Sequence, residues 1–339
     1  MSVHTTASAP PEPQAPAEVE RSLNSAASKR RMLIIVNPYA TTVSDRLKNL
    51  VVYALQGRYD VEAVATEAQN HATEIGHEAR DGGYDIVVAF GGDGTLNEVA
   101  NGLAGTDIPV SVLPGGSTNV VCRTLGIPND VVDATEHLLS LADDFCPRRI
   151  DLGRVNGRRF VFACGMGLDA TVVRRVDAHP RMKARGGRWY FTWAAISGFY
   201  RQYLRDPVRV LVETSGRSVE GVTAIAQNAE PLTYFGPSPI HVCEGVDYDD
   251  GTLSLAVLQR ASQMDVPTIV TRVFSERLPL ARHRQVEHFD DIAEARISSL
   301  ARDERGELRT FPIQVDGDFI GEVSEAEVRV EPKALSIVA

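Results

Sequence analysis

Apolar positions fall into two different textures along the chain. In the first half they form short continuous runs at 32–36, 86–90 and 108–113. Runs of that length without polar interruption fit parallel strands covered on both faces. Residues 60–65 supply one more strand. Between the runs, apolar residues recur at helical spacing over 44–55, 68–80 and 133–142, and at Leu96, Val99, Ala100 and Leu103. Ser44 is placed to cap the first of these helices, and Gly82-Gly83 to stop the second. Strands alternating with helices predict a doubly wound α/β domain over 31–150, with its ligand site at the carboxyl ends of the strands.

From about residue 151 short strand-like pieces take over, at 158–164, 208–214, 223–228, 252–258, 295–299, 313–315 and 327–330. Turn signals such as Asn156-Gly157 and Asp250-Gly251 separate them. This texture predicts an antiparallel β-sandwich domain over 151–339, interrupted by helical patches near 168–204 and 264–276. The last few residues are candidates for a return to the first domain. Residues 1–30 hold prolines at 10, 11, 13 and 16 and no apolar stretch, the composition of a disordered tail. They also lack a signal-peptide core, which predicts a cytoplasmic protein.

Charge and cysteine content narrow the function classes. Against 35 Lys and Arg stand 45 Asp and Glu, a net charge of −10 over 339 residues, which argues against general nucleic-acid binding. No apolar run approaches the roughly 18–20 residues that span a bilayer. Cys122, Cys146, Cys164 and Cys243 are too widely and irregularly spaced for a zinc ribbon or a disulfide framework.

The chemistry gathers after the strands. Ile86 to Phe90 runs into Gly91-Gly92-Asp93-Gly94-Thr95 and a helix. Glycines let a backbone approach a phosphate closely, and the first N–H groups of a helix favour an anion. A carboxylate beside such a cradle suits a metal or a proton-accepting role. It also suits a helix cap, and the residues alone leave both open. Asn97 and Glu98 add an amide and a second acid in the same helix. Leu113-Pro114-Gly115-Gly116-Ser117-Thr118-Asn119 forms a second turn of this kind after the next strand, and the two can face one cleft. The Gly-x-x-x-x-Gly-Lys-Ser/Thr phosphate loop is absent.

Gly91-Gly92-Asp93-Gly94-Thr95 followed by Asn97-Glu98-Val99-Ala100-Asn101-Gly102-Leu103 resembles the diacylglycerol kinase catalytic-domain family, which includes bacterial lipid kinases, sphingosine kinases and ceramide kinases. NAD kinases share the first turn more distantly. Arg123 and Leu125-Gly126-Ile127-Pro128 after the second turn match the family pattern. Ser117 replaces its usual Thr, and Val120 its usual Asp. The resemblance covers nearly everything after residue 30. It implies ATP and Mg²⁺ as cofactors and a lipid hydroxyl as acceptor, with diacylglycerol first and a sphingoid base or other lipid alcohol as alternatives. NAD phosphorylation and nucleotide or lipid binding without catalysis are the other readings, the last favoured by Val120.

Residue roles follow from the same resemblance. Asp93 would accept or orient the hydroxyl proton of the lipid, with Asp169, Asp316 and Asp318 closing the site from the second domain. Asn37 of Asn37-Pro38, Thr66, Gly91, Gly92, Gly94, Thr95, Asn97, Glu98, Gly116, Ser117, Thr118 and Asn119 would hold the nucleotide. Asp247, Asp250 and the Thr252 carbonyl would hold a structural Mg²⁺. Read without the family, Asp247 to Thr252 is equally an exposed Asp-Gly turn. Gly165-Met166-Gly167-Leu168-Asp169-Ala170 imitates a dinucleotide fingerprint but lacks the acid expected about 20 residues on. Six basic residues between Arg174 and Arg188, just before Trp189-Tyr190-Phe191-Thr192-Trp193, suit either an anionic membrane surface or a solvated helix with core aromatics. The overall expectation is a peripheral membrane enzyme with a lipid substrate, compatible with a homodimer.

Overall fold

A computed structural model describes residues 29–167, 170–171, 208–260, 264–275 and 277–339. β1 (Arg30–Val36) lies between β2 (Tyr59–Ala65) and β3 (Ile86–Gly91), and β4 (Val110–Pro114) follows β3, all parallel. Every residue of β3 and β4 is buried, as the unbroken apolar runs require. The connections carry α1 (Asp45–Leu55), α2 (His71–Ala79), α3 (Asp93–Leu103), the short α4 (Val120–Thr124) and α5 (Val131–Leu141). The Ser44 hydroxyl accepts from Leu47 N at 3.2 Å and caps α1. α1 packs on α5 and α2 on α3. The second contact is backbone to backbone: a Cβ at Gly102 would lie 2.7 Å from the Thr73 carbonyl oxygen.

The second half is antiparallel. β7 (Ala163–Gly167), β10 (Thr223–Gln227), β13 (Leu253–Leu258), β14 (Val286–Ile292), β16 (Phe311–Val315) and β17 (Asp318–Val323) form one six-stranded sheet in the order β14-β13-β10-β7-β16-β17. The other sheet is continuous with the first domain. β18 (Glu325–Ile337) places Ile337 parallel to Val110 of β4, and pairs with β5 (Arg148–Val155) and β15 (Glu294–Ser299). β8 (Val210–Thr214) and β9 (Arg217–Gly221) extend it, and β6 (Arg158–Phe160) pairs with β5. Phe160, Met166, Val212, Leu255, Phe311 and Val328 belong to one buried apolar cluster of this half.

Two elements depart from the sequence pattern, the first for an identifiable reason. The strand expected over 158–164 breaks between β6 and β7, because the N–H groups of Val161, Phe162 and Ala163 turn to the Asp316 carboxylate. The helix expected over 264–276 is α6 (Val266–Val273), next to the hairpin of β11 (Thr233–Phe235) and β12 (Ser238–Ile240). Asp169, residues 172–204 of the other helical patch and the basic-aromatic stretch at 174–193 lie outside the described residues. Among the described residues no helix is long and apolar enough to cross a membrane.

Candidate active site

The two glycine turns touch. Gly115 N donates to Gly91 O at 2.7 Å, a Cβ at Gly115 would lie 2.9 Å from Gly91 Cα, and one at Gly116 would lie 2.9 Å from Gly92 Cα. Side chains here would push the turns apart, so glycine is required for a close approach and not for an unusual φ. The loop after β1 joins them. Asn37 Nδ2 donates to Thr95 Oγ1 at 3.1 Å, and Thr42 N donates to Gly115 O at 3.2 Å. Thr66 leaves β2 beside this loop, with its N–H donating to Val36 O at 2.8 Å. In the second turn, Asn119 takes a left-handed φ of 48°, and its side chain closes the loop on itself: Gly116 N donates to Oδ1 at 2.9 Å and Nδ2 donates to Gly116 O at 3.0 Å. Ser117 is exposed and Thr118 half-buried on that loop.

Asp93 sits between the turns. Its carboxylate accepts from Val120 N at 3.0 Å and Val121 N at 3.3 Å, and so ties the start of α3 to the start of α4. Here the Val120 substitution becomes intelligible. The contact to Asp93 is made by the backbone N–H of residue 120, which any side chain would leave in place, while the valine side chain is buried. Burial drives the Asp93 carboxyl up to about 6; the two N–H groups oppose the shift, and the Asp316 and Asp318 charges add to it. The same burial, with Asp93 nearby, pushes the Cys122 thiol to about 12 and leaves it inert at neutral pH.

The second domain supplies the opposite wall through the β16–β17 hairpin, whose turn is Asp316 and Gly317 at φ of 49° and 85°. Asp318 follows, and a Cβ on Gly94 would overlap its carboxylate, so the third glycine of the first turn admits an acid from the facing domain. Asp316 itself points away from solvent at 5% exposure. It accepts from Val161 N at 2.7 Å, Phe162 N at 2.9 Å, Ala163 N at 3.1 Å and Asn97 Nδ2 at 2.7 Å. Burial raises its pKa while these donors hold it down.

Other residues expected to face the nucleotide are placed elsewhere. Asn97 lies one helical turn below Asp93, where its amide donates to Arg159 O and Asp316 and accepts from Arg158 Nη2 at 2.7 Å. Glu98 turns to the other side of α3 and accepts from Asn70 N at 2.8 Å and Ala72 N at 3.1 Å, at the start of α2. Exchange of Glu98 for Gln therefore costs about 1 kcal/mol of stability, the worth of a helix cap, and leaves the affinity for ATP within twofold. Thermal melts and calorimetry on the same preparation check both.

The Asp-Gly turn is closed by its own hydrogen bonds. Asp250 accepts from Asp247 N at 2.9 Å and from Thr252 N and Oγ1 at 2.8 and 3.0 Å, while Asp151 accepts from Gly251 N at 2.6 Å. The carboxylates are hard donors, but the loop spends them on N–H and O–H groups. Among the described residues no three His, Cys, Asp or Glu gather as a metal cage.

Two contributors escaped the sequence pattern. Arg158 links Asn70 and Asn97 across the domains. Arg123 of α4 lies 3.5 Å over the Tyr234 ring and donates to Gly236 O and Pro237 O, clamping the β11–β12 hairpin to the second glycine turn. The Asn156-Gly157 turn just before Arg158, and Arg123 in its family register, were the available signals.

Known proteins share this chain's sequence and fold. Residues 31–155 match the diacylglycerol kinase catalytic domain, and residues 163–339 match the YegS C-terminal NAD kinase beta sandwich-like domain. A diacylglycerol kinase of Bacillus subtilis is 37% identical over 254 residues, covering 71% of this chain and 78% of that protein. One from Staphylococcus aureus strain MRSA252 is 34% identical, over 72% and 75% of the two chains. In fold, the crystal structure of a putative diacylglycerol kinase from Bacillus anthracis superposes with a TM-score of 0.67 at 23% identity, over 91% of this chain and 96% of that one. The chain belongs to the diacylglycerol kinase catalytic-domain family and is an ATP-dependent lipid kinase.

Proposed function

We propose that this kinase transfers the γ-phosphoryl group of ATP to the free hydroxyl of a diacylglycerol, giving phosphatidic acid. The observation that carries the reading is the pair of glycine turns in contact, with Asp93 between them and Asp318 brought over Gly94 from the facing domain. The turns cradle the triphosphate. Mg²⁺ carried by the nucleotide would neutralise phosphate charge, with Asp93 and Asp318 as the acids the fold brings to the turns. The lipid oxygen attacks the γ-phosphorus, ADP leaves, and the hydroxyl proton passes to Asp93, whose pKa near 6 suits a base at neutral pH. Phosphoryl transfer asks mainly for positioning and charge neutralisation, which glycines, amides and acids supply. The names of the bacterial relatives favour diacylglycerol over other lipid alcohols.

The NAD kinase likeness in the name of the C-terminal match gives one competing acceptor a specific basis. The test is a panel of acceptors with labelled ATP and Mg²⁺: diacylglycerol, a sphingoid base, a polyprenol and NAD. The expected result is a kcat/KM for diacylglycerol at least tenfold above the rest. Label in NADP alone overturns the reading, and ATP binding without transfer to any acceptor makes the chain a binding protein.

A further inference from the structure

An enzyme whose acceptor resides in a bilayer must meet that bilayer with the mouth of its cleft. Most of this chain is poorly suited to an anionic surface, given its net charge of −10. One region differs. Residues 260–284 carry five arginines against Asp265 and Glu276. Within it, Met264 is 85% exposed, Val270 49%, Phe274 45% and Leu278 50%. Val270 and Phe274 stand four residues apart on the outer side of α6 and just beyond it. Ile269 and Val273 turn inward onto Val242, Cys243 and Leu280. α6 is therefore anchored by one face and leaves Val270 exposed on the other, with Met264 before it and Phe274 and Leu278 after it also exposed.

Arginines flank this segment in sequence. Arg260, Arg277, Arg282 and Arg284 are exposed. Arg284 holds the buried Asp265 at 2.5 Å, and Arg272 donates to Pro279 O at 2.8 Å, so the helix and the loop after it are fixed to each other. The face is also joined to the active site. Phe274 meets Phe235 of the β11–β12 hairpin edge to face at 5.9 Å, and His241 N donates to Val273 O at 3.0 Å. Arg123 clamps that same hairpin to α4, beside the second glycine turn.

We infer that the outer face of α6 and the loop to Leu278 form the surface by which this protein docks on an anionic lipid bilayer. Met264, Val270 and Leu278 enter the headgroup boundary, and the arginines meet lipid phosphates. The occupant follows from charge and composition together. Apolar side chains within a cationic rim match an interface that is apolar beneath and anionic above. The inference rests on the kinase reading only for the reason a bilayer is needed; the docking itself is measured without ATP.

The experiment is sedimentation of the purified chain with vesicles of phosphatidylglycerol and phosphatidylcholine, at low and high salt, alongside turnover of water-soluble dioctanoylglycerol. Two variants are compared with wild type. One carries Met264→Ser, Val270→Ser and Leu278→Ser, all exposed positions; the other carries Arg277→Gln and Arg282→Gln. Wild type is expected to bind anionic vesicles and to release them in high salt. The apolar variant should bind at least about tenfold more weakly, given the burial each side chain forfeits. The arginine variant should lose its preference for anionic over neutral vesicles. Both should turn over dioctanoylglycerol like wild type. Equal vesicle binding by the apolar variant and wild type overturns the proposal, as does a wild-type dimer that the apolar substitutions dissociate. Vesicle binding that behaves as expected with no lipid phosphorylated leaves the docking surface standing and removes the kinase reading. Turnover of the soluble lipid with no vesicle binding does the reverse.

Discussion

Replacing Asp316 by Ala should unfold the interface between the two halves of the molecule, with a loss of stability of at least about 3 kcal/mol. Three backbone N–H groups and one amide converge on that carboxylate, and all are buried with it. Each orphaned donor costs about 1–3 kcal/mol, and alanine satisfies none of them. The break between β6 and β7 exists because those N–H groups leave the sheet for Asp316, so no strand pairing is waiting to take them back. Denaturant unfolding should show a lower midpoint for Asp316→Ala than for Asp318→Ala, because Asp318 is only half-buried. A midpoint within about 0.5 kcal/mol of wild type would mean that the Asp316 network contributes little.

Asp93→Asn should cost about 10²–10⁴ in kcat while ATP still binds. The asparagine keeps an oxygen for Val120 N, so the two turns stay tied, and what disappears is the proton acceptor. The pH dependence carries the sharper signature. Burial raises the folded carboxyl from its ordinary 3.8 to about 6. Activity that needs the anion should therefore fall below about pH 6, approaching tenfold per pH unit. Stability moves the opposite way. The native state takes up a proton more readily than the unfolded chain, so the fold weakens as pH rises from about 4 to 6, and the penalty, at most about 3 kcal/mol, persists above that. Wild type should thus lose stability relative to Asp93→Asn across that window. A flat difference between the two, with full activity in the variant, would reduce Asp93 to a cap on α4.

Much of the first domain was legible because its signals are local. The runs at 32–36 and 86–90 have no polar face, which only a strand covered on both sides tolerates, and Ser44 caps the helix it was read to cap. The contact between the glycine turns was foreseeable only as two turns at neighbouring strand ends. The resemblance put Asn97 and Glu98 with Asp93 at the nucleotide. Helical rotation separates them: Glu98 is five residues on and faces α2, while Asn97 is a full turn, about 5.4 Å, further along the axis. β18 was legible only at 327–330. Its path past Glu331 bulges around Lys333 at a φ of 51°, and it pairs with residues far upstream in the chain, such as Leu335 with Ile150. No local pattern encodes such a partner. The role of Asp316 was hidden for the same reason, since its donors come from a strand break some 155 residues upstream.

The central claim is that the paired turns, Asp93 and the facing hairpin transfer phosphate to a diacylglycerol. The most direct test is a single-turnover reaction with γ-labelled ATP, Mg²⁺, excess enzyme and water-soluble dioctanoylglycerol, with NAD in the same tube. The expected result is the label in dioctanoyl phosphatidic acid, with one ADP formed per labelled lipid and none of the label in NADP. Label that stays in ATP, or appears in NADP or inorganic phosphate while the lipid remains unmodified, would contradict it.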